Sequence, residues 1–162
     1  MKPTLLLLSR LPDSFIIRLR EHFDCHFYLL LDDKRLMKLA PTVRGIVATA
    51  ESSVPGVLIA RLPALEIISV LGVGYDGIDL EAARAHNICV THTPEVATED
   101  IADFAIALLL CTARQMLTAD RFVRRGEWTA GRHPMTARVF GGRMGIVGLG
   151  RIGRAVALRA QA

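Results

Sequence analysis

The sequence predicts an α/β fold, a doubly wound parallel sheet, for roughly the first hundred residues. Short unbroken apolar runs, such as Thr4–Leu8 and Gly45–Thr49, are typical of strands that are buried on both faces. Amphipathic segments with helical spacing separate these runs at intervals of roughly 20 residues. Because strands and helices alternate, the strands are expected to be parallel and joined by right-handed crossovers.

Local signals place the remaining elements of this domain. Asp13 is predicted to cap a helix whose apolar side chains recur with helical spacing, and Pro55 is predicted to open a helix that runs to Leu62. The other predicted strands and helices are, in chain order, the strand His26–Leu31, the helix Lys34–Leu39, the strand Ile67–Leu71, the helix Leu80–His86 and the strand Ile88–Thr91.

A long helix is predicted next, over Thr98–Arg125. Thr98 suits the N-cap position. Two acidic residues follow in the predicted first turn, where negative charge interacts favourably with the positive end of the helix dipole. The segment Ile101–Cys111 is apolar nearly all round, which predicts burial between layers. Glu127–Gly142 is interpreted as a linker, in which Trp128 is either a hydrophobic anchor or an active-site residue.

Composition excludes several classes of protein. The chain has 162 residues, of which 51% are hydrophobic and 22% charged, so it is expected to be globular. The longest uncharged apolar stretch, Phe104–Ala113, is about half of a membrane span, and Leu5–Leu8 is too short for a signal peptide, so a cytoplasmic protein without a membrane partner is expected. The net charge of +4 comes from scattered arginines, which argues against nucleic acid. Three irregularly spaced cysteines without a CxxC argue against a zinc site.

A GxGxxG motif supplies the strongest functional signal. Gly148, Gly150 and Gly153 follow the predicted strand Met144–Val147 and precede the predicted helix Arg154–Ala162. In that context the first glycine permits a tight turn, the second admits a pyrophosphate, and the third lets the helix pack on the strand. The alternative is an ordinary strand–turn–helix unit.

A second glycine-rich element, Gly72–Asp79, follows a predicted strand. Open α/β sheets bind ligands at the carboxyl ends of their strands, and successive backbone N–H groups there hold small anions. The alternative is a structural turn capped by Asp76 or Asp79. The residues alone leave both interpretations open.

Four motifs in a fixed order resemble the D-isomer-specific 2-hydroxyacid dehydrogenases, in particular the glyoxylate/hydroxypyruvate (and hydroxyphenylpyruvate) reductase branch. They are Gly72–Asp79, Thr93-Pro94 together with Thr98, Arg124–Trp128, and the GxGxxG loop. The resemblance implies a flavodoxin-like substrate domain over residues 1–97, an interdomain and dimer helix over 98–125, a linker over 126–142, and the first β–α unit of an NAD(P)-binding Rossmann domain over 143–162.

The resemblance also implies roles for individual residues. The amides of Val73 and Gly74 would grip the carboxylate of a small 2-oxo or 2-hydroxy acid, and Thr98 would lie near the nicotinamide. The residues that would hold the pyrophosphate of NADP or NAD are Gly148, Gly150, Arg151, Ile152 and Gly153. The expected assembly is a homodimer.

The family's catalytic arginine, glutamate and histidine lie beyond the glycine loop, so no catalytic residue is expected before residue 163. The residue that selects between NAD and NADP is likewise expected beyond the glycine loop. We therefore expect the N-terminal part of a hydride-transferring oxidoreductase that is inactive by itself; His92 and His133 match no catalytic motif. The alternative is a non-catalytic dimerising or cofactor-sensing protein on the same fold, or a decayed truncated gene product.

Overall fold

The computed structural model describes residues 2–161, which form two compact units, one ending at Pro94 and the other beginning at Glu95. The first unit alternates strands and helices, as the sequence predicts. In chain order these are β1 (Thr4–Leu7), α1 (Asp13–His22), β2 (Asp24–Phe27), α2 (Asp33–Leu39), β3 (Val43–Thr49), α3 (Gly56–Ala60), β4 (Ile67–Leu71), α4 (Leu80–Ala85) and β5 (Cys89–Thr91).

The five strands form one sheet in the order β2-β1-β3-β4-β5, and every neighbouring pair is parallel. This is the flavodoxin-like order, with the direction of winding reversing between β1 and β3. The predicted doubly wound parallel sheet is therefore confirmed. Because all strands run the same way, the segments after β1, β3, β4 and β5 meet at one edge of the sheet.

Apolar side chains fill both faces of the sheet. Leu5 and Leu7 point to the side on which α1 packs, whereas Leu6 points to the side of α2, α3 and α4. Leu6, Ile46 and Ile68 are each at most 1% exposed. Burial of each such side chain stabilises the fold by about 1.5–3 kcal/mol, which explains why the strands are unbroken apolar runs.

The second unit contains three helices, α5 (Thr98–Ala113), α6 (Met116–Arg124) and α7 (Arg151–Gln161). Helices α5 and α7 pack through Ala102, Ala155 and Val156, whose small side chains let the two backbones approach. Arg159 also donates from α7 to α5, at 2.5 Å to Asp103 and 2.8 Å to Glu99. The hydrogen bonds to Asp103 and then Glu99 raise the pKa of Arg159 above its ordinary value.

The prediction of one continuous helix over Thr98–Arg125 is wrong. Gln115 adopts a left-handed conformation with φ 49°, which interrupts the helix there. The axis of α6 is bent by 59° relative to that of α5. The predicted burial of Ile101–Cys111 between layers is also wrong within residues 2–161, where Phe104 is 64% exposed and Leu108 51% exposed. Within residues 2–161, no single helix is long and apolar enough to cross a membrane, and α5 and α6 reach that length and composition only as a bent pair.

Three smaller predictions also need correction. The strand predicted at His26–Leu31 is β2, and the chain turns into a 3-10 helix at Tyr28–Leu30, closed by the Leu31 amide on the Tyr28 carbonyl. Asp13 does not cap α1, because Pro12 occupies the N-cap and Asp13 lies in the first turn. The helix opened by Pro55 ends at Ala60 rather than Leu62.

The last predicted strand is absent from the described residues. Met144–Val147 pairs with no neighbouring strand and has no regular secondary structure. A strand exists only through hydrogen bonds to another strand, and this segment has none to pair with. Helix α7 begins at Arg151, three residues before the predicted start.

Candidate functional site

The segment after β4 is a tight turn that requires glycine at its first position. Gly72 has φ 150°, and a Cβ atom there would lie 3.1 Å from the Cβ of Ala50 in the segment after β3. Gly74 differs, because a Cβ there would meet its nearest neighbours at 3.6 Å (Asp76 Oδ2) and 3.7 Å (Ala50 Cβ), which are ordinary contacts. The fold therefore demands a glycine at 72 but leaves room for a side chain at 74.

The far end of the same turn is fastened to the segment after β3. A Cβ atom on Gly77 would overlap the carbonyl oxygen of Ser52. Val54 donates to the Gly77 carbonyl at 2.8 Å, and Asp79 donates back to the Val54 carbonyl at 3.0 Å. The Asp79 side chain accepts from Ala82 N at 2.9 Å and caps α4, so the structural interpretation of this aspartate is correct.

Two adjacent backbone amides are unpaired at the centre of the turn. Within residues 2–161, neither the Val73 nor the Gly74 N–H donates to a protein acceptor. Gly72 is bonded to Thr93 in both directions, with its N–H donating to the hydroxyl at 3.0 Å and its carbonyl accepting from Thr93 N at 2.9 Å. His92 Nδ1 lies 2.9 Å from the Val73 carbonyl oxygen. Two free N–H groups on a fixed turn have the arrangement that small anions require of a backbone site.

Three hydroxyls occupy the point where the winding of the sheet reverses. Ser9 follows β1, Thr49 ends β3, and Ser52 lies just beyond it. Ser9 Oγ lies 2.6 Å from Ser52 Oγ and 3.0 Å from Thr49 Oγ1, and Ser52 Oγ also accepts from Thr49 N at 2.8 Å. Sequence reasoning missed this cluster and the contact of His92 with Val73. The available signal was that each of these polar residues lies at the end of a strand or within three residues after it.

The GxGxxG loop has the conformation that a phosphate-binding turn needs. Gly148 has φ 92°, and a Cβ on Gly153 would overlap the Gly148 carbonyl oxygen. A Cβ on Gly150 would meet nothing within 4 Å, so this glycine borders open space. The structure therefore provides a strained turn, an open approach and a close contact at the three glycines.

The N-terminus of α7 presents further free amides. The first hydrogen bond of this helix runs from Arg154 N to the Gly150 carbonyl, at 3.0 Å. The preceding amides of Arg151, Ile152 and Gly153 donate to no acceptor in the described part of the chain. Three free N–H groups at the positive end of a helix suit a phosphate group.

Two predicted cofactor residues differ from the expectation in detail. The guanidinium of Arg151 is paired with Glu95, with Nε 3.1 Å from Oε1, and both side chains are exposed. Thr98 is not the N-cap of α5, because Ala97 occupies that position without a side-chain bond. The Thr98 hydroxyl makes no hydrogen bond within residues 2–161, so it keeps its full hydrogen-bonding capacity. Trp128 lies in a 3-10 turn and is 61% exposed.

The comparison with known proteins identifies a family for this chain. The family profile described as "D-isomer specific 2-hydroxyacid dehydrogenase, catalytic domain" matches residues 5–158. The chain belongs to this family. The 2-ketogluconate reductase of Gluconobacter oxydans is 40% identical over 161 residues, which cover 99% of this chain and 51% of that protein. The chain spans about half the length of the curated relatives it matches.

Solved structures of the family superpose well on this member. A 2-hydroxyacid dehydrogenase from Ketogulonicigenium vulgare Y25 gives a TM-score of 0.93 at 40% identity, covering 99% of this chain and 51% of that one. The NADPH-dependent glyoxylate/hydroxypyruvate reductase from Sinorhizobium meliloti, solved with NADP and malonate, gives 0.83 at 36% identity, with 99% and 50% covered. The resemblance to the 2-hydroxyacid dehydrogenases, including their glyoxylate/hydroxypyruvate reductase branch, is confirmed.

Proposed function

We propose that this chain is the N-terminal part of an oxidoreductase that transfers a hydride from NAD(P)H to a small 2-oxo acid of the glyoxylate or hydroxypyruvate type. The observation that carries the proposal is the occurrence of two sets of unpaired amides on fixed turns, at Val73–Gly74 and at Arg151–Gly153. One set suits a carboxylate and the other a pyrophosphate. A relative that combines both ligand types, NADP and a dicarboxylate, supports the pairing.

In this proposal the turn after β4 binds the substrate. The N–H groups of Val73 and Gly74 donate to the carboxylate, and charge-assisted bonds of this kind are about twice as strong as neutral ones. Held by its carboxylate, the 2-oxo acid presents its keto carbon in a restricted orientation, which is the main contribution that such a clamp makes to catalysis.

The N-terminus of α7 binds the dinucleotide. The residues present fit its pyrophosphate, because Gly150 leaves open space in front of three free amides. Arg151 adds a positive charge beside them once it leaves Glu95, and the Thr98 hydroxyl is assigned to the nicotinamide end. When bound, reduced NADP or NAD supplies the hydride. The acid that protonates the product is expected beyond residue 162.

We also propose the domain division that the family resemblance implies, with residues 1–97 binding substrate and residues 143–162 beginning the cofactor domain. Residues 98–125 then carry the contact of a homodimer. Exposed apolar side chains on α5 and α6 support this assignment, since patches of this kind mark protein interfaces. Sedimentation equilibrium of the wild-type chain and of Phe104→Glu tests it, and a wild-type monomer at high concentration contradicts it.

An NMR titration of the ¹⁵N-labelled chain tests the proposed function. Oxamate, a stable carboxylate with a neighbouring carbonyl, is expected to shift the amide resonances of Val73 and Gly74. Oxamide, which has the same shape without the charge, is expected to leave them unchanged. NADPH is expected to shift Arg151, Ile152 and Gly153. The proposal fails if oxamate and oxamide act alike and NADPH leaves the three α7 amides unmoved.

A further inference from the structure

We infer that His92 is a positioning residue, whose hydrogen bond to the Val73 carbonyl aims the Gly74 N–H at the substrate carboxylate. This inference rests on the proposed function of the turn after β4. His92 does not touch the substrate in this account. It acts on the peptide group that does.

The argument starts from the geometry of the peptide bond. In a trans peptide, the carbonyl of one residue and the N–H of the next point in opposite directions. The described residues contain no cis peptide bond. His92 Nδ1 lies 2.9 Å from the Val73 oxygen, so the Gly74 N–H of the same peptide points away from His92. Thr93 does the same for the preceding peptide, because its N–H holds the Gly72 carbonyl and turns the Val73 N–H away.

The two peptides differ in how firmly they are held. The peptide between Gly72 and Val73 belongs to a pair of hydrogen bonds with Thr93, and its backbone is further restricted by the contact of Gly72 with Ala50. The peptide between Val73 and Gly74 has a single partner within residues 2–161, which is the His92 ring. Rotation of that one peptide group therefore depends on His92.

The residue at position 74 makes such a rotation easy. Turning over a peptide plane changes ψ of the residue before it and φ of the residue after it. Glycine accepts positive and negative φ about equally, so Gly74 offers little resistance. A reversed peptide would present the Val73 carbonyl oxygen, an acceptor, to the carboxylate. The His92 bond is the contact that opposes this reversal.

The state of the His92 ring follows from its partner. A carbonyl oxygen only accepts, so Nδ1 carries the hydrogen. The ring is half-buried, and it forms an edge-to-face pair with the Tyr75 ring, with centroids 4.9 Å apart and planes at 76°. Tyr75 thus restricts the orientation of the imidazole, and the turn supplies part of the support for its own positioning residue.

Two substitutions separate positioning from bulk. In His92→Asn the Nδ2 donor occupies nearly the place of the imidazole Nδ1, so the bond to Val73 is retained. In His92→Leu the side chain fills a similar volume without a donor. We expect oxamate to bind the Leu variant about 3- to 10-fold more weakly than wild type, the factor that corresponds to one net hydrogen bond, and the Asn variant to bind as wild type. NADPH shifts at α7 are expected to be unchanged in both.

Readouts without ligand keep the inference separate from the proposed function. The ring ¹⁵N spectrum of His92 is expected to show a hydrogen on Nδ1, and the Gly74 amide resonance is expected to broaden or double in His92→Leu but not in His92→Asn. If oxamate does not bind to wild type while these signatures appear, the assignment of this turn as a carboxylate site fails, but the hydrogen bond from His92 to Val73 is supported. An Nε2-only tautomer, or a Leu variant with an unchanged Gly74 resonance and unchanged oxamate affinity, overturns the inference.

Discussion

Substitution of Gly77 by alanine tests how firmly the substrate turn is fastened to the segment after β3. The new Cβ would overlap the Ser52 carbonyl oxygen and lie 3.2 Å from the carbonyl carbon, so the turn must retreat by about 1 Å. That movement breaks both hydrogen bonds of Val54 to the turn, each worth about 1 kcal/mol. Adding about 1–3 kcal/mol for strain, we expect the free energy of unfolding to fall by about 3–5 kcal/mol.

Urea denaturation followed by far-ultraviolet circular dichroism measures this loss, and a thermal scan should show a midpoint lower by at least about 12 °C, at about 4 °C per kcal/mol. Gly74→Ala is the matched control from the same turn, because its Cβ makes only ordinary contacts. The control is expected to stay within about 0.5 kcal/mol of wild type. If Gly77→Ala loses less than about 1 kcal/mol, the turn moves freely and the reasoning from its contacts is refuted.

Three further predictions concern other parts of the chain. Gly150→Ala should keep the stability of wild type and weaken NADPH binding, whereas Gly153→Ala should lower stability because its Cβ overlaps a backbone oxygen. Calorimetry of NADPH binding and thermal melting of both variants test this, and equal behaviour of the two variants contradicts the prediction. Burial raises the pKa of the Cys25 thiol, so at pH 8 iodoacetamide should modify the exposed Cys89 first, as peptide mass spectrometry over time will show; comparable rates would contradict this. Arg159→Met should speed hydrogen exchange of the α7 amides, and high salt should act in the same direction on wild type; unchanged protection would mean that apolar packing alone holds α7.

The elements that the sequence predicted well are those defined by local pattern. The strands β1 and β3 are apolar runs and are buried on both faces, as that pattern predicts. The same expectation is wrong for β4, in which Ile68 and Val70 are buried but Ile67 and Leu71 are exposed. The requirement for glycine at 148 and 153 likewise follows from the motif, because the positive φ at Gly148 and the close contact at Gly153 both arise within the same six residues. Whether Val73, Gly74 and Thr98 bind the predicted ligands stays a prediction.

The elements that the sequence missed depend on partners distant in the chain or on one dihedral angle. Met144–Val147 has the composition of a strand but pairs with no strand among residues 2–161. The helix break at Gln115 comes from a single left-handed residue, which no hydrophobic pattern reports. The bond from His92 to Val73 joins positions 19 residues apart, and it exists only because β4 and β5 are neighbours in the sheet.

The bend between α5 and α6 restricts what their apolar side chains can contact. Leu108 and Leu117 are both exposed but lie on helices whose axes diverge by 59°. A straight helix from a partner can therefore run along either α5 or α6, but it cannot follow both. A partner that covers both arms must itself be bent or must supply two separate elements. A second copy of the same V-shaped pair meets this requirement, because each copy offers two arms at the same angle.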